Sequence, residues 1–92
     1  MDQIEKSVQI FKCLGDITRL RIVEALSEKP KSVGVIAAEL QMSPSAISHQ
    51  LSTMKNYNLV KNTKKGREVY YELGDRHVRE VLAQVLNHAS HI

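Results

Sequence analysis

Three of the four histidines, His77, His88 and His91, fall in the last 16 residues, and Asp75 stands two positions before the first of them. One carboxylate oxygen and three imidazole nitrogens make a donor set suited to tetrahedral zinc, or to cobalt in its place. Four protein ligands close the coordination shell, whereas a catalytic zinc keeps a position open for water, so the pattern is not that of a hydrolase. The single cysteine, Cys13, leaves no thiolate cluster, which argues against sensing of copper(I), cadmium, lead or arsenic. Nickel would want more ligands than this segment offers.

A second group of residues lies mid-chain. Ser43-Pro44-Ser45-Ala46 combines a capping serine with a proline at the first helical position, a strong helix start. With Ile47, Leu51 and Met54 turned inward, Ser45, Ser48, His49 and Ser52 face outward, flanked by Gln50 and Thr53. Such small hydroxyls and an imidazole can bond base edges or phosphates. Lys61, Lys64, Lys65 and Arg67 follow with no acid among residues 61 to 67. Charge is distributed to match: residues 1–30 hold five bases and five acids, 31–67 six and one, 68–92 two and four. A basic block between neutral and acidic segments marks a surface facing a polyanion. The expected DNA contacts are therefore Ser43, Ser45, Ser48, His49, Gln50, Ser52, Lys61, Lys64, Lys65 and Arg67.

The elements that must position these groups follow from periodicity. Ile4, Val8, Phe11 and Leu14 predict a first helix over about 2–14, stopped by Gly15. Asp16 caps a second, about 17–27, with Leu20, Val23 and Leu26 as its stripe. Ser32 caps a short third helix ending near Gln41, with Val33, Ile36, Ala37 and Leu40 on one face. The fourth runs from Ser43 to about Asn56–Asn58. Leu59–Thr63 reads as a strand, residues 64–67 as a turn and Glu68–Leu73 as the antiparallel partner. A fifth helix, with Val78, Val81, Leu82, Val85 and Ala89 in register, extends to the end of the chain. Two short helices, a turn and a cationic hairpin form a winged helix-turn-helix. The fold expected is mainly α with a β-hairpin wing, one domain over residues 1–92.

The fifth helix forces an inference about assembly. At about 100° per residue the three histidines project from one side, bordering the apolar stripe. His77 and His88 are roughly 16 Å apart along the axis, too far to share an ion whose ligand nitrogens lie about 2.0 to 2.1 Å away. Two copies packed antiparallel about a two-fold axis would bring Asp75 and His77 of one to His88 and His91 of the other, making two inter-subunit sites per dimer. A chain of 92 residues buries only a modest core. A partner subunit is thus expected on size as well. Residues 1–7 carry no apolar signal core and no stretch approaches a membrane span, so a cytoplasmic location is expected.

Leu14-Gly15-Asp16-Ile17-Thr18-Arg19-Leu20-Arg21-Ile22, Ser43 through Leu51 and Gly66-Arg67-Glu68-Val69-Tyr70-Tyr71 together resemble the ArsR/SmtB family of metal-responsive bacterial repressors. The pattern of the last helix resembles the family's zinc-sensing branch. The resemblance implies a winged-helix homodimer joined by its first and last helices. It also implies binding of an imperfect palindrome without metal and release with it, Ser45, Ser48 and His49 on the reading helix, and a bond from His88 to backbone near Asn58. Members with a thiolate site on the third helix carry cysteine near residues 31–36; Lys31-Ser32-Val33-Gly34-Val35-Ile36 has none. Three rivals stay open: a winged-helix regulator indifferent to metal, a dimer with structural zinc only, and a zinc enzyme, for which neither an open ligand position nor a general base is evident. The partners expected are double-stranded operator DNA and a second copy, not a membrane or a small-molecule substrate.

Overall fold

A computed structural model describes residues 1–92 as five helices and a three-stranded sheet. The helices are α1 (Gln3–Leu14), α2 (Ile17–Ala25), α3 (Val33–Leu40), α4 (Pro44–Lys55) and α5 (Arg76–Ala89), and the strands β1 (Lys31–Ser32), β2 (Val60–Lys65) and β3 (Glu68–Leu73). Every helix opens on a side chain that accepts from its first turn: Asp2 from Glu5, Asp16 from Arg19, Ser32 from Val35, Ser43 from Ala46 and Asp75 from Val78. These caps satisfy amides that have no partner inside the helix.

Ile22, Val23 and Leu26 meet Ile36 and Ala37 of α3 and Ile47, Leu51 and Met54 of α4. Leu59, Val60, Tyr71 and Leu73 close this core from the sheet and Leu82 from α5. The expected stripe of the reading helix is thus the buried one. The stripe of α1 is not: Ile4, Val8 and Phe11 are exposed, Phe11 by 67%. Val81 and Val85 of α5 are likewise about half exposed, at 52% and 49%. One chain therefore leaves the apolar faces of both terminal helices uncovered.

α2, the hairpin, the sheet and α5 each differ from the expectation, and α4 ends slightly early, at Lys55. α2 stops at Ala25, with the buried Leu26 as its C-terminal cap. The hairpin is longer and its turn tighter, with Lys65 opposite Glu68 and only Gly66 and Arg67 between. Gly66 has φ +63, a value that a side chain at that position would resist. β1 was not expected: Lys31 and Ser32 pair with Tyr71 and Tyr70, so the sheet runs β1-β3-β2 with β2 on the outer edge. α5 ends at Ala89 with Ser90 as its cap, so His91 lies beyond the helix and not on its face.

The chain after α4 is held closely. Asn58 takes a left-handed φ of 58, Gly74 donates its amide to the Leu59 carbonyl at 2.9 Å, and a Cβ on Gly74 would stand 2.1 Å from the Asn58 oxygen. Only glycine lets these two backbones meet there.

Candidate nucleic-acid interface and metal ligands

α3 and α4 form the helix-turn-helix, with Gln41 in the left-handed conformation at the bend. Ser45, Ser48, His49 and Ser52 are exposed along one side of α4, as their spacing requires. Ser43 is exposed but spends its oxygen on the helix, accepting from the Ala46 amide at 3.1 Å and lying 3.4 Å from the Ser45 hydroxyl. The hairpin β2–β3 carries its cations on open surface. Lys61 pairs with Glu72 at 3.2 Å, whereas Lys65 sits over the Tyr70 ring, 5.6 Å from its centre. Lys64 and Arg67 are exposed near the tip. The Glu68 carboxylate accepts from the Tyr70 hydroxyl and holds that phenol's pKa above its usual value.

Gln50 is placed differently from its expected position beside the reading face. It is half-buried, and its amide oxygen accepts from Nε of Arg19 at 2.9 Å. The same guanidinium donates from Nη1 to the Cys13 carbonyl at 3.1 Å. Sequence spacing held no signal for this link, because polar pairs 31 residues apart leave no periodic trace. Cys13 itself is buried, and that burial pushes its thiol pKa up, against the opposing pull of Arg19.

Of the four expected metal ligands, one chain brings together two. Oδ2 of Asp75 lies 3.2 Å from Nε2 of His77, while Oδ1 accepts from the Val78 amide at 2.9 Å and caps α5. His88 is exposed in the last turn of the helix, and Nδ1 of His91 lies 2.9 Å from the Asn87 carbonyl, to which it donates when protonated. No group of three or more potential ligands forms within one chain. Asp75 and His77 border a largely apolar hollow that Ile10, Tyr57 and Asn58 also line. The hollow thus joins the first ligand pair to α1 and to the segment just after the reading helix. No helix is long and apolar enough to cross a membrane.

The model of a bacterial regulatory protein family, arsR, matches residues 16–62 of the chain. A transcriptional repressor SmtB homolog from Synechocystis is 39% identical over 88 residues, covering 96% of this chain and 67% of the relative. A cadmium resistance transcriptional regulatory protein CadC homolog from Staphylococcus aureus is 36% identical, with 87% and 67% covered. Among solved structures, a homodimeric winged helix-turn-helix DNA-binding domain from Mycobacterium bovis, a possible ArsR-family transcriptional regulator, superposes with a TM-score of 0.90 at 25% identity, covering 95% of this chain and 81% of that one. Reduced HlyU from Vibrio cholerae superposes at 0.82 with 28% identity, covering 88% and 85%.

Proposed function

The chain belongs to the arsR family of bacterial regulatory proteins, and from that premise we propose that it is a transcriptional repressor that binds operator DNA as a metal-free homodimer and leaves it when zinc, or cobalt, binds, derepressing metal efflux or resistance genes. The observation that carries this reading is the Asp75–His77 pair, 3.2 Å apart, beside terminal helices whose apolar faces have no cover within the chain.

In the dimer, the two α5 helices run antiparallel, so that Asp75 and His77 of one subunit meet His88 and His91 of the partner subunit, once on each side of the two-fold axis. Asp75, His77, His88 and His91 would hold the zinc, which would supply a cross-link between the two helices. The residues present fit the task. Asp75 caps α5 with Oδ1 and keeps Oδ2 toward His77. In the tautomer that donates Nδ1–H to the Asn87 carbonyl, His91 keeps the lone pair of Nε2 free to ligate. Imidazoles ligate only when neutral, so acid weakens the response.

The reading face is Ser45, Ser48, His49 and Ser52, with Ser43 at the helix start. Lys61, Lys64, Lys65 and Arg67 hold phosphates beside it, which gives register and affinity rather than sequence choice. Two reading helices must match successive major grooves about 34 to 36 Å apart. Metal weakens DNA binding only by favouring a dimer geometry that misses this spacing, and the coupling is reciprocal. Two routes would join the ligands to the reader: the bond from His88 to backbone near Asn58 that the family resemblance implies, and the contact of Gly74, next to Asp75, with Asn58 and Leu59.

Fluorescence anisotropy tests the proposal, with DNA from upstream of the protein's own gene at fixed salt, first in EDTA and then with micromolar zinc. The expected result is tight binding in EDTA, weakened by zinc at least about tenfold, with the effect lost in His77→Ala and His88→Ala. Equal binding in both conditions refutes the metal response.

A further inference from the structure

Arg19 joins three elements. Its backbone amide donates to the Asp16 carboxylate at the start of α2, while its side chain reaches the other two: Nη1 holds the Cys13 carbonyl in the last turn of α1, and Nε holds Gln50 in the middle of α4. The Cys13 carbonyl is among those that a helix end leaves without an internal partner, and a cation there also complements the helix dipole. An arginine only donates, so the group facing it is the amide oxygen of Gln50. These are charge-assisted bonds in a half-buried setting, stronger than neutral ones.

Gln50 is poorly placed for DNA. At about 100° per residue it falls about 150° from the middle of the face formed by Ser45, Ser48, His49 and Ser52, and only about 70° from the buried stripe of Ile47, Leu51 and Met54. Its neighbour His49 is exposed while Gln50 is half covered. The side chain therefore points along the body of the domain, toward the junction of α1 and α2.

We infer that Arg19 is a positioning residue for DNA binding: it clamps the reading helix, through Gln50, to the end of α1, and Gln50 serves as the acceptor of that clamp and makes no DNA contact. The inference rests on the DNA-binding reading above. Because α1 carries one of the uncovered apolar faces, the clamp ties the pose of the reading helix to the element through which two chains would meet.

The test uses the full-length protein, two duplexes of equal length, one from upstream of its own gene and one scrambled, and a fixed salt concentration. Gln50→Glu keeps an acceptor for Arg19 and makes the bond ionic, so upstream-duplex affinity stays within about threefold. Gln50→Leu removes the acceptor and Arg19→Lys removes the fork; each lowers affinity for the upstream duplex about tenfold while scrambled-duplex binding, carried by phosphate contacts, stays within about twofold. The Arg19→Lys, Gln50→Leu double variant loses no more than either single one, as residues in direct contact should. All are measured below the onset of thermal unfolding, followed by circular dichroism.

A loss in Gln50→Glu equal to or larger than that in Gln50→Leu would make Gln50 a DNA contact and overturn the assignment. Equal losses on both duplexes would reduce Arg19 to a general structural role and overturn it too. A wild-type protein that binds both duplexes equally would instead sink the operator-binding reading, and the clamp's purpose with it.

Discussion

Replacing Gly74 with alanine puts one methyl group where the chain has no room. The added carbon would stand 2.1 Å from the Asn58 carbonyl oxygen and 3.2 Å from its carbonyl carbon. Ordinary contact begins near 3.4 Å, so backbone must give way by more than an ångström. The obstacle is main chain held by the Gly74–Leu59 hydrogen bond, not a side chain that can swing aside. Overpacking costs about 1–3 kcal/mol and occasionally more, and a rigid obstacle belongs at the upper end, about 3 kcal/mol. For a domain of this size that lowers Tm by roughly 12–24 °C, at about 4–8 °C per kcal/mol. Urea denaturation at one protein concentration, with and without EDTA, measures it. Gly34→Ala is the matched control: it lies within α3, its added carbon meets nothing nearer than the Ser32 hydroxyl at 4.0 Å, and it should raise stability by up to about 1 kcal/mol. A Gly74→Ala protein within about 0.5 kcal/mol of wild type, the range of a neutral surface change, would refute the reasoning that this contact is rigid.

Asp75 has two tasks that substitution separates: Asp75→Asn keeps a good cap and leaves stability within about 0.5 kcal/mol, while Asp75→Ala costs about 1 kcal/mol; anisotropy should show the zinc response abolished in both. Val85→Glu places a charge on the uncovered face of α5 and should convert a dimer to a monomer in analytical ultracentrifugation, and an unchanged sedimentation coefficient would sink the proposed interface. Lys64→Ala and Arg67→Ala should each lower the slope of log affinity against log salt by about one, whatever the DNA sequence. Burial raises the Cys13 thiol above its ordinary 9.0, so it should resist Ellman's reagent at pH 8 until urea unfolds the chain. As pH rises through 9.0 the unfolded thiol loses its proton before the folded one, so stability falls there, and falls less in Cys13→Ala.

What could be read beforehand was what repeats. The stripe of Ile47, Leu51 and Met54 recurs at helical spacing because each must reach the same core, so both the reading helix and its outward face were legible. The equally regular stripe of α1 told which side is apolar but not what covers it, since periodicity is blind to the identity of the neighbour. β1 escaped because two residues cannot show alternation, and because Ser32 serves at once as strand and helix cap. His91 falls past its helix because α5 closes on the Ser90 cap, and helix ends are the part that periodicity places least well. The Arg19–Gln50 bond and the Gly74 contact are single meetings of distant segments, each set by the packed fold rather than by any local pattern.

The lysines of β2 have one further consequence, which concerns the protein in concentrated solution. β2 is an outer strand, and its far side offers unpaired amides and carbonyls along six residues, Val60–Lys65. Such an edge is a template on which another chain can add a strand. Lys61, Lys64 and Lys65 lie along it, exposed, and repel a second copy of the same edge. A wing whose lysines are neutralised to weaken its hold on phosphate therefore also loses its guard against self-association, so three of the four cations behind its salt-dependent binding also set its solubility.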